Sequence, residues 1–323
     1  MLVVAIAYLF AILKNVIYGT TPFFTNTLTE SVDVLDVLAL RFLMSFAVFW
    51  LLKVTRIVKI NVSVKDFFVK NPRSGAMRAL LLTALFEPVL YMFFETLGIS
   101  MSSGITVGVI LSLSAVSTCI FEMIFLKETS TFMQKVFLGL GIFGAIYIAV
   151  NTNTLDGKDS VLGIVFLLLA VMCGSLFCVF SRKSSRAFSA MEVTYVSCML
   201  GAVAFNAVNI VRHLIRGDIL HYFDPYFSWG NLLGFAVLAV LSTIVATGMN
   251  NFALGRMQGS TMAAFSGIST FVTILIGVAF GGERLMGYHY IGLVCIVARM
   301  VGVSYIAIKR DKARAKELAR KNT

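Results

Sequence analysis

Charge is scarce in this sequence. Asp, Glu, Lys and Arg together make up 13% of its 323 residues, about half the share found in soluble domains. That excludes a row of soluble domains, which the length alone would allow, and it excludes a disordered chain. Proline is scarce too, with 4 residues, so no Pro-rich linker divides the chain. The five cysteines (Cys119, Cys173, Cys178, Cys198, Cys295) all fall inside apolar stretches and form no ligand-spaced pair, which removes a disulfide framework and a zinc site. The three histidines (His213, His221, His289) are scattered near the ends of apolar segments. There is no HExxH, no pair of aspartates within a segment, no Walker-type phosphate loop and no dinucleotide fingerprint. ATP-driven transport by this chain and metal or cofactor catalysis therefore have no basis in the sequence, and no cofactor is implied.

What the sequence has is apolar length: 59% hydrophobic residues and a mean hydropathy of +0.90. A membrane span needs about 20 mostly apolar residues, and ten segments meet that test. They lie near 2–24, 36–53, 77–98, 104–126, 132–150, 160–181, 190–211, 230–253, 259–281 and 287–308. The first lacks a basic leading region, carries Lys14 at its middle and runs without an A-x-A site into Thr20-Thr21-Pro22. It reads as a span, not a cleaved leader. The net charge of +11 belongs to topology and not to nucleic acid. Loops on one side of a ten-span chain hold twenty of the 27 Lys and Arg, and loops on the other hold four. The positive-inside rule then places both termini in the cytoplasm. The tail from Lys309 to Lys321, with seven basic and two acidic residues, suits the surface of an anionic bilayer.

The chain also repeats itself. Leu97-Gly98, five residues before Ser103, leads through an apolar segment to Glu128; Leu254-Gly255, five before Ser260, leads through another to Glu283. A Gly-rich closing segment follows each Glu. Five spans per half means that the second half enters the membrane from the opposite side. Inverted repeats of this kind typify secondary transporters that rock around a midplane site.

These two L-G-x4-S…Glu units, the Leu40-Arg41-Phe42 element of span 2 and the closing helices resemble the drug/metabolite transporter superfamily, EamA type, over nearly the whole chain. The resemblance implies an all-α polytopic membrane protein of ten transmembrane helices in two inverted five-helix repeats. It divides the chain into 1–152, 158–308 and a basic cytoplasmic tail, 309–323. It also implies a location in the plasma membrane and a central cavity lined largely by spans 1, 3, 4, 6, 8 and 9. The family's mid-span prolines on spans 4 and 9 are replaced here by Ala115 and Thr270.

Ionisable groups inside spans are costly and are site candidates by default. Lys14 lies mid-span 1. Glu87 lies mid-span 3 directly before Pro88, whose missing amide loosens the helix ladder. An ion pair between them would be the cheapest way to keep both charged, and Glu87 is also a candidate proton carrier. Glu95 and Glu192 lie near span ends and read as interfacial; Glu122 lies a little deeper, one turn from Lys127. Arg41 and Arg299 read as packing or pairing residues, and Glu128 and Glu283 as helix-end hydrogen bonders. Small residues recur at helical spacing on span 4 (Gly104, Gly108, Ser112, Ala115, Cys119) and span 9 (Ala263, Ser266, Thr270, Gly277). That pattern serves close packing, cavity lining or both. Tyr18, Tyr91, Asn250 and Asn251 complete the polar lining, so the candidate substrate-binding set is Lys14, Tyr18, Glu87, Tyr91, Ser112, Asn250 and Thr270.

The expected function is alternating-access export or exchange of a small polar metabolite, such as an amino acid, across the lipid bilayer. Buried charges of both signs favour a zwitterionic or charged solute. The 28 phenylalanines keep multidrug or organic-cation efflux as an alternative. A membrane-embedded enzyme or a non-transporting scaffold is the alternative of another class.

Overall fold

The computed structural model describes residues 2–61, 74–127, 131–152, 160–185, 187–257, 262, 265–280 and 286–321, and among these it is helical with no strand. Glu128, Ser260 and Glu283 lie outside them. Six helical stretches are long and apolar enough to cross a membrane. The helix over expected span 1, α1 (Leu2–Thr29), contains both Lys14 and Pro22; α2 is Val34–Val54. Expected span 3 comprises α3 (Ser74–Ala84), a π-helical stretch at Leu85–Leu90, and α4 (Tyr91–Ser100). The break falls at Glu87, which leaves the helical region at φ −140°, ψ 115°, ahead of a cis peptide to Pro88. Proline clashes with a helical residue before it, and it has no amide to donate.

Expected span 4 is interrupted too, although it has no proline. Helix α5 (Gly104–Ser112) tightens at Leu113, whose amide bonds back only three residues to Ile110 while its φ and ψ stay helical, and α6 (Ser114–Phe125) follows directly, so Thr106–Phe125 still forms one span. Then come α7 (Phe132–Thr152), α8 (Val161–Ser184) and α9 (Ala190–Arg216). Next are α10 (Trp229–Ala236), a π-helical stretch at Val237–Ala246, and α11 (Thr247–Leu254). Helix α12 (Ser266–Phe280) begins after a turn at Phe265. The last helix, α13 (Gly287–Lys321), does not stop at residue 308 but runs on through the basic tail, a stretch rich in the strong helix formers Ala, Lys, Arg and Glu.

Loops meet at alternating ends. At one end Arg212 of α9 reaches Asp33 and Asp36 at the start of α2, and the Ser160 amide bonds the Met101 carbonyl at 3.0 Å. Away from these, the Asn61 amide bonds Glu192 at 3.0 Å. Glu192 also closes a capping box with Ser189, so its role at a helix start matches its place near a span end. Asp33 caps α2 through the Leu35 amide. Burial pushes its carboxyl up, but the Leu35 amide and Arg212 outweigh that and hold it below its ordinary range. A carboxyl so depressed contributes stability above its ordinary pH range and loses it as pH falls through the lower native value. The thermal unfolding midpoint of purified protein should therefore fall on acidification, and Asp33→Asn should flatten that acid limb; an unchanged limb in the variant would assign it elsewhere.

Helices α7 and α13 pack along a glycine stripe. A Cβ at Gly144 would sit 2.6 Å from Cys295 Cβ and 2.9 Å from the Gly292 carbonyl, and one at Gly141 would sit 2.2 Å from Arg299 Cδ. Such contact lets backbones approach where lipid offers no hydrophobic drive. Gly144→Val should cost about 1–3 kcal/mol by overpacking, read as a lower melting midpoint in detergent; an unchanged midpoint would mean that the pair separates freely.

Candidate functional site

The broken spans surround one cavity of about 130 Å³, room for several waters or a small solute. Lys14, Tyr18, Glu87, Tyr91, Asn250 and Thr270 all line it, together with Glu95, Ser114, Thr118, Ser266 and Ser269. Its apolar walls include Met92, Val171, Phe177 and Met262. The Ser112 and Ala115 side chains lie outside the described residues, as does Ala263.

Lys14 and Glu87 are each 8% exposed. They do not form the ion pair expected from the sequence. Among the described residues neither makes a hydrogen bond or an ion pair; the Lys14 ammonium rests over the Tyr18 ring, 5.3 Å from its centroid. Lys14 projects from an unbroken α1 and Glu87 sits at the break in span 3, and both line the same cavity. A lysine and a carboxylate that share a small polar cavity without a direct ion pair can be satisfied together by one molecule that carries the opposite charge at each end.

Other groups divide between cavity and scaffold. Glu95 is not interfacial: it is 6% exposed, lines the cavity and accepts from the Tyr91 hydroxyl at 2.6 Å. The Tyr91-x3-Glu95 spacing, one helical turn, was the available signal. Tyr18 shares a hydrogen bond with Thr247 at 3.0 Å. Thr270 donates to the carbonyls of Gly108 and Ser266, at 3.1 and 3.3 Å, so its hydroxyl pins α12 to α5 as well as lining the cavity. Asn251 is not part of the lining; it is buried between Ser181 and Thr194, both at 2.9 Å. Arg41 is a packing residue, holding α2 to the π-helical stretch by donating to Thr243 at 3.0 Å and Ser242 at 3.1 Å. Glu122 pairs with Arg182 at 2.8 Å, joining α6 to α8. Among the described residues no cluster of three His, Cys, Asp or Glu side chains could hold a metal.

Comparison with known proteins fits this architecture. The EamA-like transporter family model matches residues 5–150 and 161–305, so the two matches divide where the sequence repeat does. An uncharacterized transporter of Bacillus subtilis (strain 168), YcxC, is 31% identical over 306 residues, which cover 95% of each chain. A protein of solved crystal structure shares the fold at a TM-score of 0.63 and 18% identity, over 94% of this chain and 98% of its own. This chain belongs to the EamA-like transporter family, a branch of the drug/metabolite transporter superfamily.

Proposed function

We propose that the protein is a secondary active transporter that exports or exchanges a small polar, zwitterionic metabolite, such as an amino acid, by alternating access. The observation that carries this reading is the presence of Lys14 and Glu87 in one cavity, both buried and, among the described residues, without a hydrogen bond or ion pair. A substrate ammonium lies toward Glu87 and Glu95, and a substrate carboxylate toward Lys14. Ten spans in two inverted repeats, both termini in the cytoplasm and a place in the plasma membrane complete the reading. It is supported by the twofold family match and by the loops that meet at alternating ends. Rocking of one bundle against the other then exposes the cavity to each side in turn. Glu87 is the natural carrier if a proton is the coupling ion, and an imposed pH gradient across liposomes tests this by its effect on the rate.

Organic-cation efflux is the second reading, since Glu87 and Glu95 with Tyr18 and Tyr91 offer carboxylates beside aromatic rings. Phe177 lines the cavity, but Phe125, Phe132, Phe143, Phe227, Phe271 and Phe280 are exposed on the outer surface, so the phenylalanine content speaks little for a greasy site. Counterflow into liposomes with labelled amino acids, sugars and cationic dyes separates the two. Exchange of an amino acid, lost in Lys14→Ala and Glu87→Gln, supports the first. Movement of dyes alone, or variants equal to wild type, overturns it.

A further inference from the structure

Two helices begin inside the apolar layer, one in each repeat, and they begin at the same place. Helix α6 starts at Ser114, just after the tightened turn at Leu113, and α12 starts at Ser266, just after the turn at Phe265. The two hydroxyl oxygens are 3.5 Å apart, with Ser114 donating to Ser266, and both residues line the cavity. Ser114 follows Leu113 along a backbone that stays helical in φ and ψ, so what the two repeats bring together at one spot on the cavity wall is a pair of hydroxyls.

A positive element stands behind them. Arg299 is fully buried on α13, a helix that contributes no residue to the cavity lining. Its stem crosses α7 in the space left by Gly141, and its Nη2 donates to Ser266 Oγ at 3.3 Å. The Ser266 oxygen thus accepts from both a guanidinium and Ser114, which polarises its own O–H toward an acceptor on the cavity side. The independent sign that an anion belongs here is Lys14, more than nine-tenths buried, lining the same cavity and without a hydrogen bond or ion pair among the described residues.

We propose that Ser114 and Ser266, backed by Arg299, form the oxyanion subsite of the cavity and take the substrate carboxylate beside Lys14. Arg299 is a positioning residue: it acts through Ser266 and never touches the substrate. The two hydroxyls come from matching helices of the two repeats and are backed by a guanidinium from an outer helix. This subsite deepens the zwitterion reading and rests on it for the identity of the anion, but its electrostatics can be tested without any substrate.

The test introduces a thiol at Ser266→Cys and, as a control on the same cavity wall, at Ser269→Cys. N-ethylmaleimide labelling of each site is followed by mass spectrometry in the full-length protein. An ordinary thiol, with a pKa of about 8.5, labels roughly eightyfold faster at pH 9 than at pH 6.5, and this ratio is independent of access. At Ser266→Cys the ratio should fall below about tenfold, as for thiols beside cations, and adding Arg299→Met should return it toward the ordinary value. Ser269→Cys should stay near eightyfold. Equal ratios at the two positions, or no response to Arg299→Met, would overturn the subsite. If Arg299→Met does not yield folded protein, the comparison of the two thiols decides alone. In counterflow, a neutral amino acid should outcompete its amide, and Ser114→Ala with Ser266→Ala should reduce that preference about tenfold. A low thiol ratio with no amino-acid exchange would sink the zwitterion reading and leave the anion subsite standing. Normal exchange with an ordinary thiol ratio would do the reverse.

Discussion

Neutralising Glu87 should nearly abolish exchange: Glu87→Gln is expected to lower counterflow of a zwitterionic solute by about a hundredfold, and Lys14→Ala by a similar factor. A hundredfold loss corresponds to about 2.7 kcal/mol, which is within the 2–5 kcal/mol or more seen when one partner of a buried charge pair is truncated. The two groups line one cavity and are each buried, and on the proposed reading the substrate satisfies both. That predicts an asymmetry between function and stability. Each single variant should leave a buried charge of one sign in excess and should melt lower than wild type. Lys14→Ala with Glu87→Gln removes both charges, so its melting midpoint should recover while exchange stays lost. Recovery of exchange in the double variant would make the pair purely structural. Midpoints that simply add would show that the two charges do not sense each other.

The second large effect lies far from the cavity, where the start of α2 meets the end of α9. Asp36 accepts there from Asn209 at 2.8 Å, from the His213 Nε2 at 2.8 Å and from Arg212 at 2.7 Å. The His213 Nδ1 faces Asp218 at 2.8 Å, and the Tyr226 hydroxyl donates to the Leu40 carbonyl at 2.6 Å. Asp36 is 8% exposed. Its loss leaves Arg212 with Asp33 alone, His213 with Asp218 alone and the Asn209 amide without this acceptor, so Asp36→Ala should cost about 3–5 kcal/mol. At roughly 2–4 °C per kcal/mol for a large domain, the melting midpoint should drop by about 6–20 °C. Asp36→Asn, which keeps the shape and two acceptor lone pairs, should cost less. Neither residue nor network borders the cavity, so half-saturation for any exchanged solute should be unchanged in whatever protein remains folded. A shifted half-saturation would tie this clasp to the transport cycle; an unshifted midpoint would show that Arg212 and His213 are satisfied without Asp36.

The sequence by itself determined the class of this protein and the level at which its chemistry sits. Low charge and long apolar runs admit little but a polytopic membrane protein, because a backbone in lipid must satisfy its own hydrogen bonds within helices. The repeated L-G-x4-S…Glu units suggested a twofold plan, and the family model matches the chain at residues 5–150 and 161–305. Lys14 and Glu87 stood out for the same reason, since an ionisable residue in mid-span is costly wherever the chain goes. Proline marked the break at Glu87 in advance.

Only the tertiary structure decided which polar groups face one another. Periodicity places a residue on a helix face but does not say which helix covers that face. Glu95 therefore read as interfacial although Tyr91 bonds it inside the cavity, and Asn251 read as lining although Ser181 and Thr194 enclose it. The tightened turn at Leu113 has no proline to announce it. The reach of Arg299 across α7 to Ser266 depends on a glycine about 160 residues away in the chain. Span hydropathy is a sum over neighbours in sequence, whereas a binding site is a convergence of residues distant in sequence, and packing alone brings that convergence about.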